Sequence, residues 1–293
     1  MMRKNNSDER WVISQPNELL KFLFEAMPER SKKSVRELLS RGQVFVNHES
    51  TSQFNDALVS GDVVEIRTSA PNKKIKIPGL EILHEDDDLI IVNKEAGLLS
   101  IASDKGDAKT AYRLLSDYVK HSNPKNRIYV VHRLDRETSG VMMYAKNPSA
   151  QKTLQNNWKR LVTERTYLAL VEGRVKEDGE ITSWLTEDNR LKMQSSKTEN
   201  NGKKATTHYE VLKTNRKQTL LKVNLETGRK NQIRIHMQEL GHPIVGDKKY
   251  GATTNPFRRI GLHASVIAFT HPATHQQMRF EAPTPKVMAM SFK

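Results

Sequence analysis

His132-Arg133-Leu134-Asp135-Arg136-Glu137-Thr138-Ser139-Gly140 is a polar stretch set between two apolar, strand-like runs, Ile128-Tyr129-Val130-Val131 and Val141-Met142-Met143-Tyr144-Ala145. A loop between two buried strands holds its side chains on a rigid frame, and this loop presents one central carboxylate, Asp135. Arg133 and Arg136 flank it, and positive neighbours favour the ionised form, which can serve as nucleophile or base. Thr138, Ser139 and Gly140 supply hydroxyls and a permissive glycine for a tight turn. Taken alone, an aspartate between arginines is more often a surface ion pair than a nucleophile.

Strands and helices interleave on both sides of this loop. Residues 81–84 and 89–93 flank the acidic turn Glu85-Asp86-Asp87-Asp88 and predict a hairpin. Ala111, Leu114, Leu115 and Tyr118 share one face of a helix over 110–120, and a second helix is expected over 148–161. Strands follow near 166–171, 180–185, 205–212 and 219–225, then a helix over 231–240 ending at Gly241. Residues 259–270 and 277–281 close the pattern as strands, and the polar stretch 186–204 reads as an exposed loop. The mixture predicts an α+β domain over 80–293 with a largely antiparallel sheet.

Residues 1–14 are expected to form a polar N-terminal tail. Residues 15–68 read as a small separate unit. Leu19, Leu20, Leu23, Phe24 and Met27 fall on one helical face before Pro28. Ser31 is placed to cap a second helix that runs to Arg41, with Gly42 at its end. Val44-Phe45-Val46 and Val63-Val64-Glu65-Ile66 follow as strands. Residues 69–79, with Pro71, Lys73, Lys74, Lys76 and Pro78, read as a basic linker.

The whole chain of 293 residues carries 48 Lys and Arg against 34 Asp and Glu, a formal charge of +14. A balance this basic points to a polyanionic partner. Cysteine is absent, which excludes disulfides, thiol nucleophiles and cysteine-bound zinc. The start of the chain has no apolar signal segment, and no run reaches the roughly 18 apolar residues of a membrane helix. The expectation is therefore a cytoplasmic protein with no membrane partner. The histidines at 132, 236, 242, 263 and 271 lack tight ligand spacing, so no metal is expected. Phosphate-cradling glycine motifs are missing as well, so no nucleotide cofactor is expected.

The 132–140 stretch resembles the H-R-L-D-x-x-T-S-G signature of the RluA family of RNA pseudouridine synthases. Further segments carry the same resemblance in chain order. They are Asn93-Lys94-Glu95-Ala96-Gly97-Leu98-Leu99, with Glu95 where the family has proline, and Arg165-Thr166-Tyr167-Leu168-Ala169-Leu170-Val171-Glu172-Gly173. Leu225-Glu226-Thr227-Gly228-Arg229-Lys230-Asn231-Gln232-Ile233-Arg234-Ile235-His236 has Asn231 in place of the usual histidine. Leu240-Gly241-His242-Pro243-Ile244-Val245-Gly246-Asp247, Leu262-His263-Ala264 and His271-Pro272 complete the set.

The resemblance implies a pseudouridine synthase fold, with flanking helices and a central cleft. It also implies a cofactor-independent isomerase that turns uridine into pseudouridine in RNA. Asp135 would be the nucleophile or its equivalent, Arg234 its partner, and Tyr167 the ring that stacks on the base and assists proton removal. Leu262 would pack on the opposite face of the base. Arg133 would wedge into the RNA, and His132 and Arg229 would contact substrate. Residues 15–68 resemble the small αL RNA-binding domain named after ribosomal protein S-four, with Lys32, Lys33, Arg36 and Arg41 as its RNA-binding helix face. The basic character is confined to that helix, since residues 15–66 hold six Lys and Arg against eight Asp and Glu. The resemblance points to large-subunit ribosomal RNA as substrate, with transfer RNA second, and to a monomer. Two other classes stay open: an RNA-binding protein that lost catalysis, and a hydrolase that releases uracil.

Overall fold

The computed structural model describes residues 9–40, 42–66, 76–102, 106, 109–189, 192–199 and 201–292. The chain divides into two compact units between Ile75 and Lys76. Arg41 and most of the expected linker lie outside the described residues.

The first unit is built from two short helices against a four-stranded antiparallel sheet. Helix Leu19–Ala26 buries Leu19 and Leu23, and Met27 just beyond it is fully buried too. Helix Lys32–Ser40 buries Val35, Leu38 and Leu39. Ser31 caps it as expected, its Oγ accepting the Ser34 N–H at 3.2 Å. The sheet begins earlier than the composition suggests. Glu9–Val12, expected to be tail, forms a strand paired with Val63–Ile66. Ile13, straight after it, is buried in the core, and Trp11 packs edge-on against Phe22. The strand reads Glu9-Arg10-Trp11-Val12, two charged residues then two apolar ones, so its sequence shows no alternating pattern, and its pairing with Val63–Ile66 rather than its composition makes it a strand.

The second unit is one twelve-stranded sheet. From one edge the order runs Met193–Ser196, Gly179–Glu187, Lys203–Thr214, Gln218–Leu225, Val162–Glu172, Leu262–Thr270, Ser139–Ala145, Leu89–Lys94, Leu80–Glu85 and Lys76–Ile77; Tyr129–Val130 pairs beside Ser139–Ala145 and Gln277–Glu281 beside Leu262–Thr270. Among the described residues every strand pairing of this sheet is antiparallel except one, Ser139–Ala145 beside Leu262–Thr270. All seven residues of Ser139–Ala145 are buried, and so are Leu89–Val92 beside them. This explains why those runs are continuously apolar rather than alternating.

The parallel contact is short, covering only Ser139 opposite His263 and Gly140 opposite Ala264. It depends on glycine. Gly140 sits at φ +119°, and a Cβ there would lie 2.1 Å from the Ala264 carbonyl oxygen. Both the backbone conformation and the space exclude a side chain. Gly140→Ala is expected to destabilise this unit by more than about 3 kcal/mol, read as a lower unfolding midpoint. An alanine variant that melts with the unsubstituted protein would show that the two strands can separate at no cost.

Three elements of this unit differ from the sequence reading. Lys76–Ile77, expected to be linker, is a strand paired with Leu80–Glu85, so the unit begins before residue 80. The 148–161 helix is broken at Asn157 into Pro148–Asn156 and Trp158–Leu161, and the Asn157 amide donates back to the Thr153 carbonyl. Within 186–204, expected to be loop, Met193–Ser196 pairs with Gly179–Glu187. One buried side chain fixes that strand: Met193 packs with Leu185, Ala205, Ile235 and Tyr250. A polar sequence with a single anchor carries no alternating pattern to read. Among the described residues no helix is long and apolar enough to cross a membrane.

Candidate active site

Asp135 lies in the loop that feeds strand Ser139–Ala145, and the loop is clamped on both sides of it. Before it, the Ser100 hydroxyl donates to the Leu134 carbonyl (2.7 Å) and accepts the Leu134 N–H (3.1 Å). Tyr144 holds Ser100 in turn, donating to its carbonyl at 2.9 Å. After it, the Arg136 carbonyl accepts the Gly97 N–H and the Lys94 ammonium, at 2.8 and 3.2 Å. Lys94 is fully buried and also donates to the Glu95 and Leu98 carbonyls. Burial pulls its pKa down to about 8. Three carbonyl dipoles thus hold one buried ammonium and tie the 94–100 turn to the aspartate loop.

His132 accepts the Met143 N–H on Nε2 at 3.1 Å. Burial, with the Arg165 charge nearby, lowers its pKa to about 3. It is therefore a neutral anchor for the loop. Its ring leans on Trp158, centroid to centroid 5.0 Å.

The loop opens onto a cleft of about 470 Å³. Asp135, Tyr167, Leu262 and Arg234 all line it, as do His132, Arg133 and Arg229. The sheet explains the meeting. Tyr167 on strand Val162–Glu172 pairs opposite Ala264, and Leu262 stands two residues before Ala264, on the same face. Burial raises the Tyr167 phenol pKa, and the Arg165 charge opposes that rise. Arg165 stands two residues before Tyr167 on the same strand face, lines the cleft, and donates to the Leu225 and Glu226 carbonyls at 2.9 and 3.2 Å.

Arg234 reaches the cleft from helix Gln232–Glu239, where the expected partnership takes a different form. Its fork belongs to Asp247: Nε donates to Oδ2 at 2.6 Å and Nη2 to Oδ1 at 2.8 Å. Nη1 donates to Asn231 Oδ1 at 3.2 Å and stands 3.6 Å from Asp135 Oδ2. The guanidinium also lies over the Tyr250 ring, 4.9 Å from its centroid. Asp247 is 1% exposed, Arg234 11% and Asp135 28% in their side chains. Arg234 is thus fixed by a buried aspartate and offers one remaining edge to Asp135.

The helix entrance is built to allow this. Asn231 adopts a left-handed conformation at φ +54°. Gln232 accepts from Thr227 Oγ1 and the Arg229 N–H, and donates to the Thr206 carbonyl and Thr207 Oγ1. Arg229 itself is exposed at the cleft mouth, with Nε on the Lys204 carbonyl. Arg133 is exposed as well. Arg136 turns away and donates to the Gly97 carbonyl, so of the two flanking arginines only Arg133 lines the cleft. In the cleft, Arg133, Lys159, Arg165, Arg229 and Arg234 face two carboxylates, Asp135 and Glu226.

The remaining motif histidines are structural. His236 bridges Ser183 and Thr207, His263 bridges Ser139 and the Ala282 carbonyl, and His242 holds the Glu172 carbonyl. One cluster, Asp86, Asp88 and His271, has the spacing of metal ligands. His271 Nδ1 accepts two backbone N–H groups, from Ala273 and Thr274. Its Nε2 lies 3.3 Å from Asp86 Oδ2 but makes no hydrogen bond to it. Sequence reading missed Ser100, Trp158, Lys159, Arg165 and Asp247. Arg165 carried a usable signal in its two-residue spacing from Tyr167 on a strand, and Asp247 in the motif that it ends.

In the first unit, Lys32, Lys33 and Arg36 are exposed on one helix. Lys32 and Arg36 also lie over the Phe24 ring, 5.8 and 5.3 Å from its centroid.

A sequence profile for RNA pseudouridylate synthases matches residues 88–239. An uncharacterized RNA pseudouridine synthase of Bacillus subtilis, YhcT, is 33% identical over 288 residues, covering 96% of this chain and 92% of that protein. The ribosomal large subunit pseudouridine synthase D of Neisseria meningitidis serogroup B is 35% identical over 282 residues, 90% of this chain and 74% of its own. Human RNA Pseudouridylate Synthase Domain Containing 4 superposes with a TM-score of 0.60 at 22% identity, over 71% of this chain and 90% of that one, a likeness of fold.

Proposed function

Since the chain belongs to the RNA pseudouridylate synthase family and is an isomerase of that class, we propose that it modifies specific uridines of large-subunit ribosomal RNA. The reaction breaks the bond between ribose C1′ and uracil N1, turns the base, and joins C1′ to C5. The C5 proton leaves and N1 gains one, so atoms and electrons balance without a cofactor. Attack on the base, attack on the sugar and elimination to a glycal all require one carboxylate beside the ribose. Asp135 fills that place, with the free edge of Arg234 beside it. Tyr167 and Leu262 hold the flipped base between them, and the C5 proton passes to solvent water. The observation that carries this reading is the convergence of Asp135, Arg234 and Tyr167 in one basic-lipped cleft.

The ribosomal assignment is supported by the named activity of the relatives at 35% identity and by the length of those alignments, which extend beyond the catalytic unit. Mapping pseudouridine in RNA from cells with and without the gene tests it. Sites lost from large-subunit RNA are the expected result. Loss confined to transfer RNA would establish the runner-up substrate, and no lost site in either would refute both.

The first unit serves as a tethered RNA contact, through Lys32, Lys33 and Arg36. A chain beginning at Lys76 is expected to fold and isomerise, but to bind RNA more weakly. Its plot of log affinity against log salt should flatten by about 0.7–0.9 per lost phosphate contact. Identical affinity and slope in the short and full chains would assign the first unit another role.

A further inference from the structure

The cleft is longer than one base requires. On its floor strand, Ala264 stands level with Tyr167, and Val266 and Ile267 also line the cleft. The strand bulges here, so Val266 stands opposite Thr166 and Ile267 opposite Arg165, and at about 3.3 Å per residue they extend the floor by roughly 3–7 Å beyond the Tyr167 level. The four-residue helix Trp158–Leu161 leads directly into the Tyr167 strand, whose first residue, Val162, pairs with Phe269, beyond Ile267. Trp158 and Lys159 are therefore at this far end, and both line the cleft.

Trp158 is half-buried and Lys159 exposed. The indole is backed by the His132 ring, itself fixed through the Met143 N–H. One side of the indole is thus held, while the residue still faces the cleft. An aromatic face over an apolar floor, with an ammonium beside it, matches a nucleobase with its phosphate. An apolar protein side chain would suit the floor but gives the ammonium no counter-charge.

We propose that Trp158 and Lys159 form a second nucleotide subsite, which takes the base and phosphate of the nucleotide next to the target uridine. This rests on the reading of RNA as substrate. It gives the subsite a purpose: when the uridine leaves the stack its neighbour loses a partner, and the indole replaces it, offsetting part of the cost of flipping.

The test uses the full chain and a synthetic hairpin spanning a mapped uridine, with an abasic ribose placed on either side of it in turn. Trp158→Leu keeps apolar bulk without an aromatic face, and Trp158→Phe restores one. Trp158→Leu should raise KM and Kd about tenfold with kcat within about threefold, and Trp158→Phe should recover most of the loss. An abasic neighbour on one side should weaken binding to the unsubstituted and Phe proteins by a similar factor, and leave Trp158→Leu unaffected. Lys159→Gln, an exposed change that spares the fold, should flatten the salt dependence by about one phosphate contact. Equal abasic penalties in all three proteins, or an unchanged KM in Trp158→Leu, would overturn the subsite. Affinity is measured beside turnover. A hairpin bound through Trp158 but never isomerised tells against the reaction, not against the subsite.

Discussion

Asp135→Asn is expected to abolish pseudouridine formation, by at least about 10⁴-fold in kcat, while RNA affinity changes little. The substitution is unusually clean. The Asp135 carboxylate is partly exposed, and its contact with Arg234, 3.6 Å, is longer than a hydrogen bond. Its loop is held by backbone groups of Leu134 and Arg136, not by its side chain. The fold should therefore survive with a change of about 1 kcal/mol or less. The cations proposed to bind RNA, Arg133, Lys159, Arg165 and Arg229 around the cleft and Lys32, Lys33 and Arg36 on the first unit, are untouched by the change. Among the described residues the second acid lining the cleft is Glu226, and its carboxylate is engaged by His208 Nε2 at 2.9 Å. Release of tritium from C5 of uridine-labelled RNA measures the outcome. Turnover within a hundredfold of the unsubstituted enzyme would remove Asp135 from the chemistry.

The parts of the site that could be read in the sequence are those where a backbone pattern dictates a side chain's place. The loop between two apolar runs gave Asp135 a rigid seat, whereas Tyr167 was singled out by the resemblance, since an aromatic at the start of a strand is by itself most often core. The helix over 231–240 and its glycine end were equally plain. What escaped depended on contacts between distant segments. Ser100 acts on Leu134 across 34 positions, and Lys94 on Arg136 across 42. Neither local propensity nor charge distinguishes such a serine or lysine from a surface residue. The break at Asn157, which turns Trp158 and Lys159 toward the cleft, was hidden because asparagine neither forbids nor demands a helix. The Met193 strand was hidden by its polar neighbours. Pairing Arg234 with Asp135 captured one contact, at 3.6 Å, and missed the stronger one to Asp247. Charge complementarity allows either aspartate, and only burial decides which receives the fork.

That choice has a measurable consequence. Burial works against the Arg234 charge, but the hydrogen bonds and charge of Asp247, with Asp135 and Tyr250 nearby, outweigh it and raise the arginine's pKa. Arg234→Ala should therefore harm the enzyme twice. It removes the edge that faces Asp135, and it strands the Asp247 carboxylate, 1% exposed, without its two hydrogen bonds. Breaking a buried pair from one side costs about 3–5 kcal/mol, a fall of roughly 10 °C in the unfolding midpoint for a unit of this size. If Asp247 is the stranded group, adding Asp247→Asn to Arg234→Ala should restore most of the lost stability, because the amide can be buried at far lower cost than a charge. Activity should stay lost in the double variant, since nothing returns to the edge beside Asp135. Arg234→Lys should recover stability more than rate, because an ammonium keeps the charge but cannot make the fork that aims it. Thermal unfolding and tritium release, measured on the same four proteins, separate the two effects. If Asp247→Asn failed to rescue the melting of Arg234→Ala, the buried partner of Arg234 would have to be Asp135 after all, and the orienting role assigned to Asp247 would fall with it.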